Sequence, residues 1–199
     1  ANYEAAEILT EAKKKLPKDD EVRVTLGKAL LALGFIPDSR KELLEVLDRT
    51  PSDGEALVLL AESSVTPEWM DECEERINKS GKKSTATRLA SALLALRRGS
   101  LEEGAAIVEE VLQADPKSAR AHALKAAILS SKNQPEAALA ELKIAADGAG
   151  SRSSESVAYA RALMSLKRRE DAVAYLDKIT TDTPDFLPAW AMLGQIAFS

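Results

Sequence analysis

The sequence predicts an all-α solenoid of antiparallel helix pairs, with about twelve helices in its 199 residues. Three observations carry this expectation. Small residues recur at Gly27, Ala61, Ala92, Ala126, Ala160 and Gly194, in steps of 34, 31, 34, 34 and 34. A second small-residue ladder (Ala5, Ser39, Cys73, Gly104, Ala138, Ala172) and an apolar one (Leu9, Leu43, Ile77, Val108, Leu142, Leu176) use the same step lengths. The composition is 45% hydrophobic but only 4% aromatic, with nine Gly and eight Pro, too few for a turn-dense β-protein. An Ala- and Leu-rich chain with a period in the thirties reads as stacked two-helix units, none of which buries its apolar faces alone.

Taken in order, residues 2–15 read as an amphipathic helix that Leu16-Pro17 ends, because proline disfavours α geometry in its predecessor. Asp19 or Asp20 caps a helix that runs through Leu33 to the breaker Gly34. Pro37-Asp38-Ser39 restarts a helix that stops at Thr50-Pro51. Residues 54–64 form the next first helix. Thr66 as N-cap with Pro67 at the first helical position then opens a helix that ends at Ser80-Gly81. Thr85–Arg98 and Ser100–Ala114 flank the Gly99 turn, with Ser100-Leu-Glu-Glu103 as a capping box. Ala119–Ser131 pairs with Pro135–Ala146, closed by Gly148-Ala-Gly150. Ser153–Leu166 pairs with Glu170–Ile179, closed by Thr183-Pro184, and residues 187–198 begin a sixth pair. The array divides as 1–19, 20–53, 54–84, 85–118, 119–152, 153–186 and 187–199. The single 31-residue step falls after Ile77 and before Ala92, and the expected location is a tightened turn at Gly81-Lys82-Lys83-Ser84.

The outer segments read as half repeats, the first a second helix alone and the last a first helix alone, as in a piece of a longer array. Their uncovered stripes are expected to complete one another between molecules, head to tail, with Leu193 and Ile196 meeting Ile8 and Leu9.

The net charge of −5, with both signs interspersed, argues against a nucleic-acid footprint, which needs a basic face. No apolar run is long enough to span a bilayer. One Cys and one His leave no disulfide framework and no Cys/His metal cluster, so no cofactor is expected. A single thiol suits either the cytoplasm or a bacterial periplasmic protein without disulfides. No catalytic constellation is present, so the chain does not read as an enzyme. His122 and Cys73 fall at packing positions of the repeat. The cluster Asp71, Glu72, Glu74 and Glu75 lacks calcium-loop spacing and reads as a solvated helix face. Lys13-Lys14-Lys15, Lys82-Lys83, Arg97-Arg98 and Arg168-Arg169 sit near helix C-termini, where cations complement the helix dipole.

Trp190-Ala-Met-Leu193-Gly194, Thr25-Leu26-Gly27, the small positions Ala138 and Ala172, and the closing Pro17, Pro51, Pro116 and Pro184 together resemble the tetratricopeptide repeat family. Ser91, Lys125 and Tyr159 depart from its usual Leu, and most of its aromatics are Leu, Ile or Val here. The resemblance implies a right-handed superhelix whose first helices line a concave face that carries ligand contacts. Projected onto this chain, that face comprises Val24 and Lys28; Val58 and Glu62; Leu89, Leu93 and Arg97; Arg120 and Ala127; and Val157, Arg161 and Met164. Members of each set are three, four or seven residues apart and so share a helix face. The family's Lys/Asn clamp for chaperone tails would fall on Val24 with Lys28, Leu59, and Ala86 with Ala90, and is missing. The implied function is therefore a non-catalytic scaffold for a protein or peptide partner, with an apolar or amphipathic segment as ligand. The alternatives are the helical arm of a larger enzyme such as a transferase, or a scaffold in a bacterial envelope or polysaccharide-export assembly.

Overall fold

The computed structural model describes residues 2–81 and 83–198. The regular elements among them are twelve helices: α1 (Asn2–Lys15), α2 (Asp20–Ala32), α3 (Ile36–Arg49), α4 (Gly54–Ser63), α5 (Pro67–Lys79), α6 (Thr85–Arg97), α7 (Leu101–Ala114), α8 (Ala119–Ser131), α9 (Pro135–Ala149), α10 (Ser154–Ser165), α11 (Arg169–Asp182) and α12 (Leu187–Ala197). The chain divides within α7 into two compact units, one up to Ile107 and one from Val108.

Two kinds of junction alternate along the chain. The first helix of a pair starts from a side-chain cap, because the earliest N–H groups of a helix have no carbonyl of their own to bond. Asp19, Asp53, Ser84, Ser118 and Ser153 accept from the backbone N–H three residues on, opening α2, α4, α6, α8 and α10. Within every complete pair but α4–α5 the chain reverses through one left-handed residue: Gly34, Gly99, Asn133 or Lys167. The following N–H reaches back five residues, as in Phe35 to the Leu30 carbonyl (2.9 Å) and Gln134 to the Leu129 carbonyl (2.9 Å). That bond closes the C-terminal carbonyls of the first helix.

The small-residue ladders mark where paired helices touch. A Cβ on Gly27 would lie 3.0 Å from Leu43 Cγ, and one on Gly104 would lie 2.6 Å from Leu96 Cδ2. Ser39 Oγ donates to the Gly27 carbonyl at 2.7 Å, joining the two rungs. Gly194 is the exception, since a Cβ there meets open space. In the second unit Leu139, Ala160, Leu163, Leu176 and Ile196 form a continuous core. Ala126 and Ala160 are 1% and 0% exposed. Replacing either by leucine is therefore expected to cost roughly 1–3 kcal/mol, because a packed seam has no room for added carbons. A thermal melt unchanged in both variants would refute the seam.

The structure corrects four local expectations. The 31-residue step does not arise from a tight turn. Residues 80–84 separate α5 from α6, one more than the 50–53 between α3 and α4; Lys82, part of the expected turn, lies outside the described residues. The missing residues are helical. α3 runs ten residues past its rung Ser39, but α5 stops six past Cys73. α4 is also cut to Ser63, two past Ala61, and α5 begins correspondingly early. With that last turn of α5 gone, α6 packs directly on α4, so closely that a Cβ on Gly54 would come within 2.6 Å of Ala86 Cβ.

Second, α9 continues through Gly148 and stops only at Gly150 (φ +84°). Third, α11 reaches Asp182 rather than Ile179. Fourth, Ile196 is 4% exposed within the second unit's core, so it is unavailable for the intermolecular contact expected of it.

Candidate functional site

The candidate groove residues fall into three environments. In the first unit Val58 (1% exposed) and Leu89 (6%) are core residues, because α4 and α6 close on one another over the shortened repeat. These two cannot touch a partner. Val24 and Leu93 are half-buried and Lys28 and Arg97 exposed. Lys28 Nζ lies 3.9 Å from Glu55 Oε1. Arg97 Nη2 donates to the Glu62 backbone carbonyl at 2.6 Å, so two predicted groove residues from α4 and α6 are held together.

In the second unit Arg120 is half-buried and engaged in a polar interaction, and Ala127 is exposed. Val157 and Met164 are half-buried against the core, on the same face of α10 as the exposed Arg161. Among the described residues no hydrogen bond or ion pair engages Arg161.

A polar ladder escaped the sequence reading. Arg23, His122, Ser156 and Trp190 occupy the same position in their first helices, and each reaches the carbonyl six residues upstream. Arg23 Nη2 meets Pro17 (3.1 Å), His122 Nε2 meets Pro116 (3.1 Å), Ser156 Oγ meets Gly150 (2.8 Å) and Trp190 Nε1 meets Pro184 (2.8 Å). Each side chain thereby ties the start of a first helix to the residue that ended the preceding helix.

The residue nineteen positions on completes the latch in two cases. Glu42 accepts from Arg23 at 2.5 Å, and Glu141 faces His122 Nδ1 at 2.6 Å. Lys125 Nζ joins the latter group, 3.2 Å from Glu141 and 3.1 Å from Glu109. Both neighbours of the His122 ring are acceptors, so a neutral ring satisfies only one of them at a time. The shared signal was the recurrence of a donor at one repeat position, hidden because the donors are four different amino acids.

These polar groups are occupied structurally. Among the described residues no buried side-chain nitrogen or oxygen lacks a partner, and no group of three His, Cys, Asp or Glu is arranged to hold a metal. Burial pushes the Cys73 thiol up to about 11, so the reactive thiolate is scarce at neutral pH. The acidic stretch on α5 is engaged too: Glu72 pairs with Arg40, while Asp71 and Glu74 both pair with Arg98. No helix among the described residues is long and apolar enough to cross a membrane.

Comparison with known proteins agrees with this architecture. A family model described as tetratricopeptide repeat matches residues 24–64 and 89–153. No curated protein matches the sequence. A tetratricopeptide repeat protein of Thermus thermophilus superposes with a TM-score of 0.69 at 18% identity, covering 91% of this chain and 100% of that one. A second such protein, from Parabacteroides merdae, gives 0.66 at 16% identity over 98% of this chain and 78% of its own. The hetero-tetramer Cut9–Hcn1 of the APC/C gives 0.61 at 11% identity, over 99% of this chain and 40% of that one. At such identities the likeness is one of fold.

Proposed function

Because the chain belongs to the tetratricopeptide repeat family, whose repeats mediate protein–protein interaction, we propose that it is a non-catalytic scaffold holding an apolar or amphipathic segment of a partner protein against its first helices. The observation that carries this reading is the α10 face. Val157 and Met164 present a partly open apolar surface beside Arg161, an exposed cation with no internal partner among the described residues. In a chain of net charge −5 whose other exposed arginines mostly engage internal carboxylates or carbonyls, such a cation is suited to an external acceptor. Aliphatic side chains flanking one charge suit the helix-in-groove mode, in which apolar anchors supply affinity and the charge sets register. In the first unit the usable face is Val24, Lys28, Leu93 and Arg97, with Val58 and Leu89 withdrawn into the core.

The test is affinity capture with the intact chain, compared with Arg97→Glu and Arg161→Glu variants of unchanged helical content. A partner recovered by the parent is expected to fall at least about tenfold with Arg161→Glu, the size of a lost and reversed charge contact. Recovery unchanged in both variants would overturn the assignment of these faces.

A further inference from the structure

A cleft of about 460 Å³ opens between α1 and the α2–α3 junction. Its walls include Tyr3, Glu7 and Glu11 of α1, and Leu30 and Phe35 beyond, with Ala6 at its floor. The repeat register explains why it is open. Ala6 stands 34 residues before Arg40, which fills the corresponding space one repeat later. There the Arg40 guanidinium lies 4.7 Å over the Trp69 ring, donates to Ser64 Oγ at 2.8 Å and pairs with Glu72 at 2.6 Å. In the second unit the same position is Leu139, buried in the core beside Leu163. At the first position the side chain is a methyl group, and the walls remain.

Those walls keep the character of an arginine site. Phe35 holds the register of Trp69, whereas Asp38, in the register of Glu72, does not line the cleft. Glu7 and Glu11 supply two carboxylates one turn apart on the α1 side, Glu11 also accepting from the exposed Lys14 at 2.6 Å in a solvent-facing pair that an incoming guanidinium displaces. Tyr3 and Phe35 are 62% and 45% exposed, aromatic faces of the kind over which a guanidinium stacks. The α1 face that forms the cleft carries residues 3, 7 and 10, not the rung Ala5 and Leu9 that belong to helix pairing.

We propose that this cleft binds an arginine side chain presented between apolar residues of a partner peptide. The guanidinium sits among Glu7, Glu11 and Phe35, in the place that Arg40 takes internally one repeat on, while the flanking apolar residues of the peptide cover Leu30 and Tyr3. Charge complementarity selects the cation, and the planar fork selects arginine over lysine. This site is separate from the first-helix faces assigned above and needs none of their residues.

The experiment titrates the methyl-labelled intact chain with the peptide acetyl-Ala-Leu-Arg-Leu-Ala-amide, and with the same peptide carrying citrulline, the neutral near-isostere of arginine. The expected result is a shift of the Leu30 and Leu33 methyl signals with the arginine peptide, and affinity at least about tenfold weaker with citrulline, since the charged contacts are lost. Ala6→Arg is expected to abolish binding by filling the cleft from within. Glu7→Gln/Glu11→Gln, two exposed positions whose change leaves the fold intact, is expected to weaken it. Equal affinity for the two peptides, shifts confined to other methyls, or binding undiminished in both variants would each overturn the proposal. Because Arg97 and Arg161 are untouched, failure here leaves the groove reading standing, and the converse holds.

Discussion

Arg40→Ala is expected to destabilise the protein by about 4 kcal/mol in urea or thermal unfolding, a larger loss than any other single truncation considered, because this arginine closes the end of a helix that lacks its usual terminator. α4 ends at Ser63 without the left-handed residue that stops α2, α6, α8 and α10. Arg40, 3% exposed, reaches over from α3 instead. Its Nη1 donates to the Leu60 carbonyl (3.4 Å), Ser63 Oγ (3.1 Å) and Ser64 Oγ (2.8 Å), and its Nη2 to the Trp69 carbonyl (3.4 Å) and Glu72 (2.6 Å). A cation at a helix C-terminus is also favoured by the helix dipole. Alanine removes all of these donors at once and leaves a hole beneath Trp69. Arg40→Lys serves as the control, because one ammonium keeps the charge but not the fork, and is expected to recover less than half of the loss. A cost below about 1 kcal/mol for Arg40→Ala would mean that water closes the end of α4 unaided.

What was legible in the sequence follows from what repeats. Caps and breakers are local chemistry, so α8 begins and ends where Ser118 and the residues after Ser131 place it, and α2 follows Asp19. The helix number and the tight approach at Gly27 and Gly104 were legible because close packing leaves a small residue at a fixed interval. The 31-residue step was visible as a number but not as a shape. Counting locates the loss between Ile77 and Ala92, yet both a shorter turn and a shorter helix satisfy the count. Only the observed end of α5, six residues past Cys73, distinguishes them; the close approach of α6 to α4 at Gly54 and Ala86 follows from it. That contact also decides which groove candidates are usable. Val58 and Leu89 have the same register as accessible Val24 and Val157, and differ only because α6 lies on α4. Gly148 misled the reading of α9, since a glycine breaks a helix only where the backbone turns left-handed, as it does at Gly150. The latch formed by Arg23, His122, Ser156 and Trp190 was illegible for the opposite reason: its donors are four different residue types, and the position is Leu57 in the shortened repeat.

That latch supplies the second large effect. Glu42, with 7% of its side chain exposed, accepts from Lys13 Nζ at 2.6 Å and Arg23 Nη1 at 2.5 Å, joining α1, α2 and α3. Glu42→Ala is expected to cost about 3 kcal/mol, because Arg23 keeps its burial and loses its closest carboxylate. The loss stays below that of Arg40→Ala, since Arg23 retains the Pro17 carbonyl at 3.1 Å and Glu45 at 2.8 Å, and the part-exposed Lys13 swings to solvent. The double variant Glu42→Leu/Arg23→Met separates penalty from benefit. Removing both charges removes the cost of burying them, so the double is expected to lie within about 1 kcal/mol of the parent and well above Glu42→Ala. If the double instead loses as much as the single variants Glu42→Leu and Arg23→Met summed, the pair acts as two independent contacts and the latch between helix pairs is not a coupled unit. Recovery in the double would mean that the buried charges fix which helix ends meet, while the aliphatic seam supplies most of the stability.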